Sequence, residues 1–75
     1  MKTLYLKYNT GPLPQSGEQD AILLIGDALY GPYPLQAYGL KQDADIRGLM
    51  PDNITLIDMQ QWVGLLQKFE RWITC

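Results

Sequence analysis

A chain of 75 residues makes one small domain, and its 47% apolar content is enough to fold and too high for a disordered segment. A lone core of this size rarely supplies more than ~3–5 kcal/mol, and with one cysteine and no histidine neither an intrachain disulfide nor a structural zinc site can add to it. Six Lys and Arg against eight Asp and Glu give a net charge of −2, which argues against independent nucleic-acid binding.

The expected source of further stability is therefore association with other chains. The opening Met1–Lys7 segment is too short and too interrupted by lysine for a signal peptide. No apolar stretch approaches the ~20 residues of a membrane span. With a single free thiol, the expected compartment is the cytoplasm.

In chain order, Thr3–Tyr8 alternates Leu4, Leu6 and Tyr8 against Tyr5 and Lys7, which predicts a first strand. Asn9–Asp20 is a breaker-rich connection in which one helical turn has room to start at Pro14. Ala21–Ile25 is a continuous apolar run closed by Gly26-Asp27, the pattern of a strand covered on both faces in a parallel sheet. Gly31-Pro32-Tyr33-Pro34 is a loop, since neither proline continues a regular element. Leu35–Leu40 alternates again and predicts a third strand. A parallel crossover normally takes a dozen or more residues, however, and only Asp27–Pro34 separates the two runs.

Asp43 is placed to cap a short helix over Ala44–Leu49. After the turn Pro51-Asp52-Asn53, Ile54–Ile57 is β-branched and predicts a fourth strand. Asp58 is then the expected N-cap of a long helix, Met59–Ile73, whose stripe is Trp62, Leu65, Leu66, Phe69, Trp72 and Ile73. The expected fold is α/β, a small and mostly parallel sheet of about four strands with a long C-terminal helix in a single domain, 1–75.

Three stretches, in order, carry a resemblance. Leu23–Tyr30 resembles the apolar strand and "QDGVYA"-like turn of the TusB/DsrH family. Ala37–Leu49 resembles its "VYAL..D..ARGL" stretch, and Ile54–Val63 its "I.LIDY.DFV" stretch. The resemblance covers residues 21–69 and a short first strand. It implies a DsrE/DsrF/DsrH-like fold and membership of a complex with TusC-like and TusD-like subunits. Such complexes pass persulfide sulfur between thiols towards 2-thiouridine at the transfer-RNA wobble position, and the DsrH branch serves sulfur oxidation. Two family helices are missing, one replaced by Asn9–Asp20 and one by Gly31–Pro34. These losses strip cover from a sheet whose second strand is apolar on both faces, and another subunit is expected to supply it.

Sulfur transfer needs an accessible thiolate, and Cys75 is the only thiol. It matches no family position, so it is either a persulfide carrier or an incidental residue, and the relay cysteine is expected on a partner. Asp27 follows a strand and is either a ligand group or a turn carboxylate. Asp43 and Asp58 are expected as caps. With no histidine, no Ser-His or Cys-His pair can be built within the chain, no phosphate-binding glycine fingerprint exists, and no cofactor or metal is expected. The candidate contact surfaces are the loop bearing Leu29, Tyr30 and Tyr33 and the helix bearing Trp62, Phe69 and Trp72. The leading expectation is a non-catalytic scaffold subunit. The alternatives are a Cys75 persulfide carrier and a homo-oligomeric module that has lost the relay.

Overall fold

The computed structural model describes residues 2–15, 17–34 and 37–75. Five strands, β1 (Thr3–Lys7), β2 (Ala21–Leu24), β3 (Tyr38–Leu40), β4 (Thr55–Ile57) and β5 (Arg71–Thr74), form one sheet in the order β4-β3-β2-β1-β5. Every pairing is parallel. Two helices, α1 (Lys41–Ile46) and α2 (Met59–Leu66), and a 3₁₀ turn over Gly26–Tyr30 complete the fold. None of these helices is long and apolar enough to cross a membrane.

The order explains where the helices lie. From β1 to β4 the chain steps in one direction across the sheet, and the last crossover runs back past β1 to the far edge. Right-handed crossovers in opposite directions must pass over opposite faces. On one face, Ile22 and Leu24 of β2 pack with Ala28 and Leu29 of the 3₁₀ turn and Ala44 of α1. On the other, Leu4, Leu23, Leu40 and Ile57 pack with Leu65 of α2, and Trp62, Leu66 and Phe69 lie against them. The apolar run of β2 is thus covered on both sides by the chain itself, with Leu23 and Leu24 fully buried, so the cover that was expected from another subunit is not needed at this strand.

Close packing sets the identity of one strand residue. A Cβ on Gly39 of β3 would lie 2.8 Å from a Leu29 methyl carbon and 2.9 Å from one of Ile54. Glycine therefore lets the 3₁₀ turn and the approach to β4 settle directly onto the sheet.

The architecture corrects several expectations. The sheet has five strands, not four, and the long C-terminal helix does not form: α2 stops at Leu66, and Arg71–Thr74 becomes β5 beside β1. Trp72 and Ile73 fit the helical stripe, but Trp, Ile and Thr in succession also favour a strand, and the open side of β1 offers them a ladder. Helix α1 begins at Lys41, ahead of Asp43, with Leu40 at its N-cap and no side-chain cap.

The tight β2–β3 link is resolved because β3 starts at Tyr38, so the crossover spans 25–37. The expected third strand began at Leu35-Gln36, which lie outside the described residues. No helical turn forms at Pro14 or Gln15. The cap at Asp58 is present as a full capping box: the carboxylate accepts from Gln61 N at 2.7 Å, and Gln61 Oε1 accepts from Asp58 N at 3.0 Å.

Candidate functional site

In an all-parallel sheet every strand delivers its following loop to one edge, and α/β proteins place ligands at that carboxyl edge. Here it gathers the turn at Gly26-Asp27, the starts of α1 and α2, the Lys7–Asn9 segment and Cys75.

Gly26 takes φ +60°, a left-handed conformation that glycine adopts without strain, and turns the chain out of β2. Its amide donates to Asp43 Oδ2 at 2.8 Å. Asp43 therefore clasps α1 to the turn after β2 and does not cap its own helix, as the spacing had suggested. Asp27 Oδ1 accepts from Arg47 Nη2 at 3.2 Å, and Arg47 Nη1 donates to the Asp43 carbonyl at 3.2 Å. Asp27 is thus a turn carboxylate held by an arginine. The pair is partly in solvent, where such bridges contribute ~0–1 kcal/mol.

At the end of β1, Lys7 is only 1% exposed, and its ammonium donates to the Asn9 carbonyl and, at 3.1 Å, to Asn9 Oδ1. Cys75 follows β5 and is exposed. Its amide donates to the Leu6 carbonyl at 3.0 Å, and its Sγ lies 3.7 Å from the same oxygen. Extending the Leu6–Thr74 register by one residue sets Cys75 beside Lys7.

Between the first turns of α1 and α2 lies an open groove of about 610 Å³. One wall is Lys41, Gln42, Asp45 and Ile46, and the other is Asp58, Met59 and Gln60. Lys41 and Asp45 form an i,i+4 ion pair at 3.7 Å. This groove was not legible as a site in the sequence. Its one signal was that Met59 is apolar yet is not one of the stripe residues. Met59 is exposed, as is Ile46 on the facing wall.

The six candidate contact residues divide. Leu29 is fully buried in the core, so it offers no surface, whereas Tyr30 beside it is 58% exposed. Tyr33 is half-buried, and its hydroxyl donates to the Leu29 carbonyl. Trp62 and Phe69 are partly buried against the α2-side core, and the buried Trp62 Nε1 finds no acceptor among the described residues. Trp72 is 56% exposed, and its Nε1 donates at 3.0 Å to the Leu66 carbonyl at the end of α2, which also accepts from Phe69 N at 3.4 Å.

At the opposite, amino edge, Asp20 bridges the long loop to β1. Its two oxygens accept from Gly17 N and Thr3 N, each at 2.9 Å. These amide bonds, the Gly17 bond foremost, hold its carboxyl below the ordinary value of 3.8.

Together these features define a small, all-parallel α/β domain with several large apolar side chains left in solvent. No protein-family model matches the chain, and no curated protein and no solved structure is a significant match.

Proposed function

We propose that the chain is a non-catalytic scaffold subunit of a TusBCD-like sulfurtransferase complex, one that relays persulfide sulfur towards wobble 2-thiouridine of transfer RNA in the cytoplasm. The motif resemblance over residues 21–69 motivates this reading, and the parallel α/β architecture is of the class that resemblance implies. One observation carries it: several large apolar side chains of this small domain stand in solvent. Tyr30, Ile46, Met50, Met59, Val63 and Trp72 are all about half exposed or more, with Met50 at 92%. Ile46, Met59, Val63 and Trp72 stand on α1, on α2 and on the edge strand β5, surfaces that partner subunits would bury in such a complex. The two edge strands β4 and β5 add unpaired backbone on either side. In this role TusC-like and TusD-like subunits cover the exposed side chains, and one of them carries the relay cysteine.

A second reading is favoured by the place of Cys75, exposed at the carboxyl edge. As a carrier, its thiolate would attack the outer sulfur of a donor persulfide. The donor thiolate would leave, and Cys75 would hold the persulfide.

Sulfur transfer through the reconstituted complex, with wild-type chain or with Cys75→Ser, separates the two. The scaffold reading expects transfer to continue at an undiminished rate in the variant. Loss of transfer with the complex still assembled would overturn it in favour of the carrier.

A further inference from the structure

The two helices that flank the open groove leave the sheet in opposite directions. Helix α1 follows β3 without a linker and packs on the face that holds Ala44 and Leu29. Helix α2 follows β4 after the single residue Asp58 and packs on the other face through Leu65. Strands β3 and β4 are neighbours. Their carboxyl ends are therefore a topological switch point, the position at which an open parallel sheet forms a crevice because successive connections part to either side. No loop intervenes at either exit to fill that crevice, which is open to solvent, with all seven lining residues exposed, and has a volume of about 610 Å³.

The walls are matched in chemistry. Each contributes one carboxylate (Asp45, Asp58), one amide (Gln42, Gln60) and one apolar side chain (Ile46, Met59). Lys41 is the only cation of the lining and is already paired with Asp45. Two carboxylates against one ammonium disfavour an anion. The amides and the ammonium supply donors that a bare cation would leave unmatched. Ile46 is 73% exposed and Met59 49%, and they stand on opposite walls as apolar surfaces without cover.

We propose that this crevice binds an uncharged, hydroxyl-bearing molecule with a flat heteroaromatic ring whose faces pack on apolar side chains, the chemistry of a nucleoside. The ring lies between Ile46 and Met59, and the hydroxyls donate to Asp58 and Asp45. This assignment does not rest on the scaffold role, and it puts a ligand, in place of a partner subunit, over Ile46 and Met59.

The test is a titration of the full chain with adenosine, followed by amide chemical shifts and repeated with adenosine 5′-monophosphate. Saturable shifts are expected at Lys41, Gln42, Met59 and Gln60, with the monophosphate binding more weakly. Ile46→Asp, at an exposed position that leaves the core intact, should weaken adenosine binding by about tenfold or more, corresponding to loss of roughly 1.4 kcal/mol. Val63→Ser, outside the crevice, should leave it unchanged. Absence of saturable shifts at millimolar adenosine, shifts confined to another surface, or equal affinity in Ile46→Asp would each overturn the proposal. Tighter binding of the monophosphate than of adenosine would also overturn it, because the crevice would then be an anion site.

Discussion

Strands β2 and β5 both pair with β1, in parallel and over four registered residues each, yet they are held in different ways. β2 buries Ile22, Leu23 and Leu24 and is covered by helical structure on both faces. β5 leaves Arg71, Trp72 and Thr74 exposed, with only Ile73 partly covered. The first strand is fixed by side-chain burial. The second is fixed by its backbone ladder, an Arg71 Nε bond to Thr3 Oγ1 at 3.2 Å and the Trp72 bond to Leu66. Equal pairing therefore does not mean equal stability: β2 belongs to the cooperative core, and β5 to the part that opens first.

The sharpest way to break this comparison is to truncate one side chain in each strand. Leu23→Ala should cost about 2–5 kcal/mol, as expected for a fully buried leucine. Trp72→Ala should cost clearly less, since that residue is already 56% exposed. Denaturant unfolding of the two variants checks the ranking, and equal losses would show that β5 is part of the core after all.

Packing at the sheet centre gives the next effect. Gly39→Ala places a methyl within 3 Å of Leu29 and Ile54 and should destabilise by about 1–3 kcal/mol, as overpacking does. A neutral result would mean that the 3₁₀ turn is looser than its burial implies.

Removing the α2 cap comes third. Asp58→Ala should lower stability by about 0.5–2 kcal/mol, with Asp58→Asn recovering most of the loss, because an amide oxygen still accepts from Gln61 N. Thermal melts of the pair make the check, and no recovery in the asparagine variant would assign Asp58 a charge-dependent role in place of a cap.

The smallest effect is an acid one. The amides of Gly17 and Thr3 hold the Asp20 carboxyl below 3.8 in the folded chain. Its contribution to stability is therefore complete above that ordinary value and is lost as pH falls through the lowered folded value. Asp20→Asn should make the acid limb of the stability curve shallower and leave its slope near neutrality unchanged. An identical acid limb in the variant would remove Asp20 from the account.

The same contrast separates what was legible in the sequence from what was not. β2 was readable because its continuous apolar run matches a strand buried on both faces, and the Asp58 cap because its bonds are local. β1 and β4 were readable from their strand-favouring residues, although in β1 Lys7 is buried and the following Tyr8 exposed. β5 was not, because Trp72 and Ile73 satisfy a helical stripe and a strand equally well. The choice was made by the unpaired side of β1, some 68 residues away in sequence. Asp43 was misread for a related reason: its partner is the amide of Gly26, brought close only when α1 folds against the turn after β2. The crevice between α1 and α2 arises from the reversal of crossover direction, a property of strand order that no local pattern encodes.

The scaffold role makes the exposed side chains around α1, α2 and β5 contact surfaces, and the most direct measurement is the mass and subunit composition of the assembly that the tagged chain brings from its own host. The account predicts a discrete complex containing two related small α/β subunits, one of them with an accessible cysteine. Recovery of the chain alone, or only with copies of itself, would contradict it.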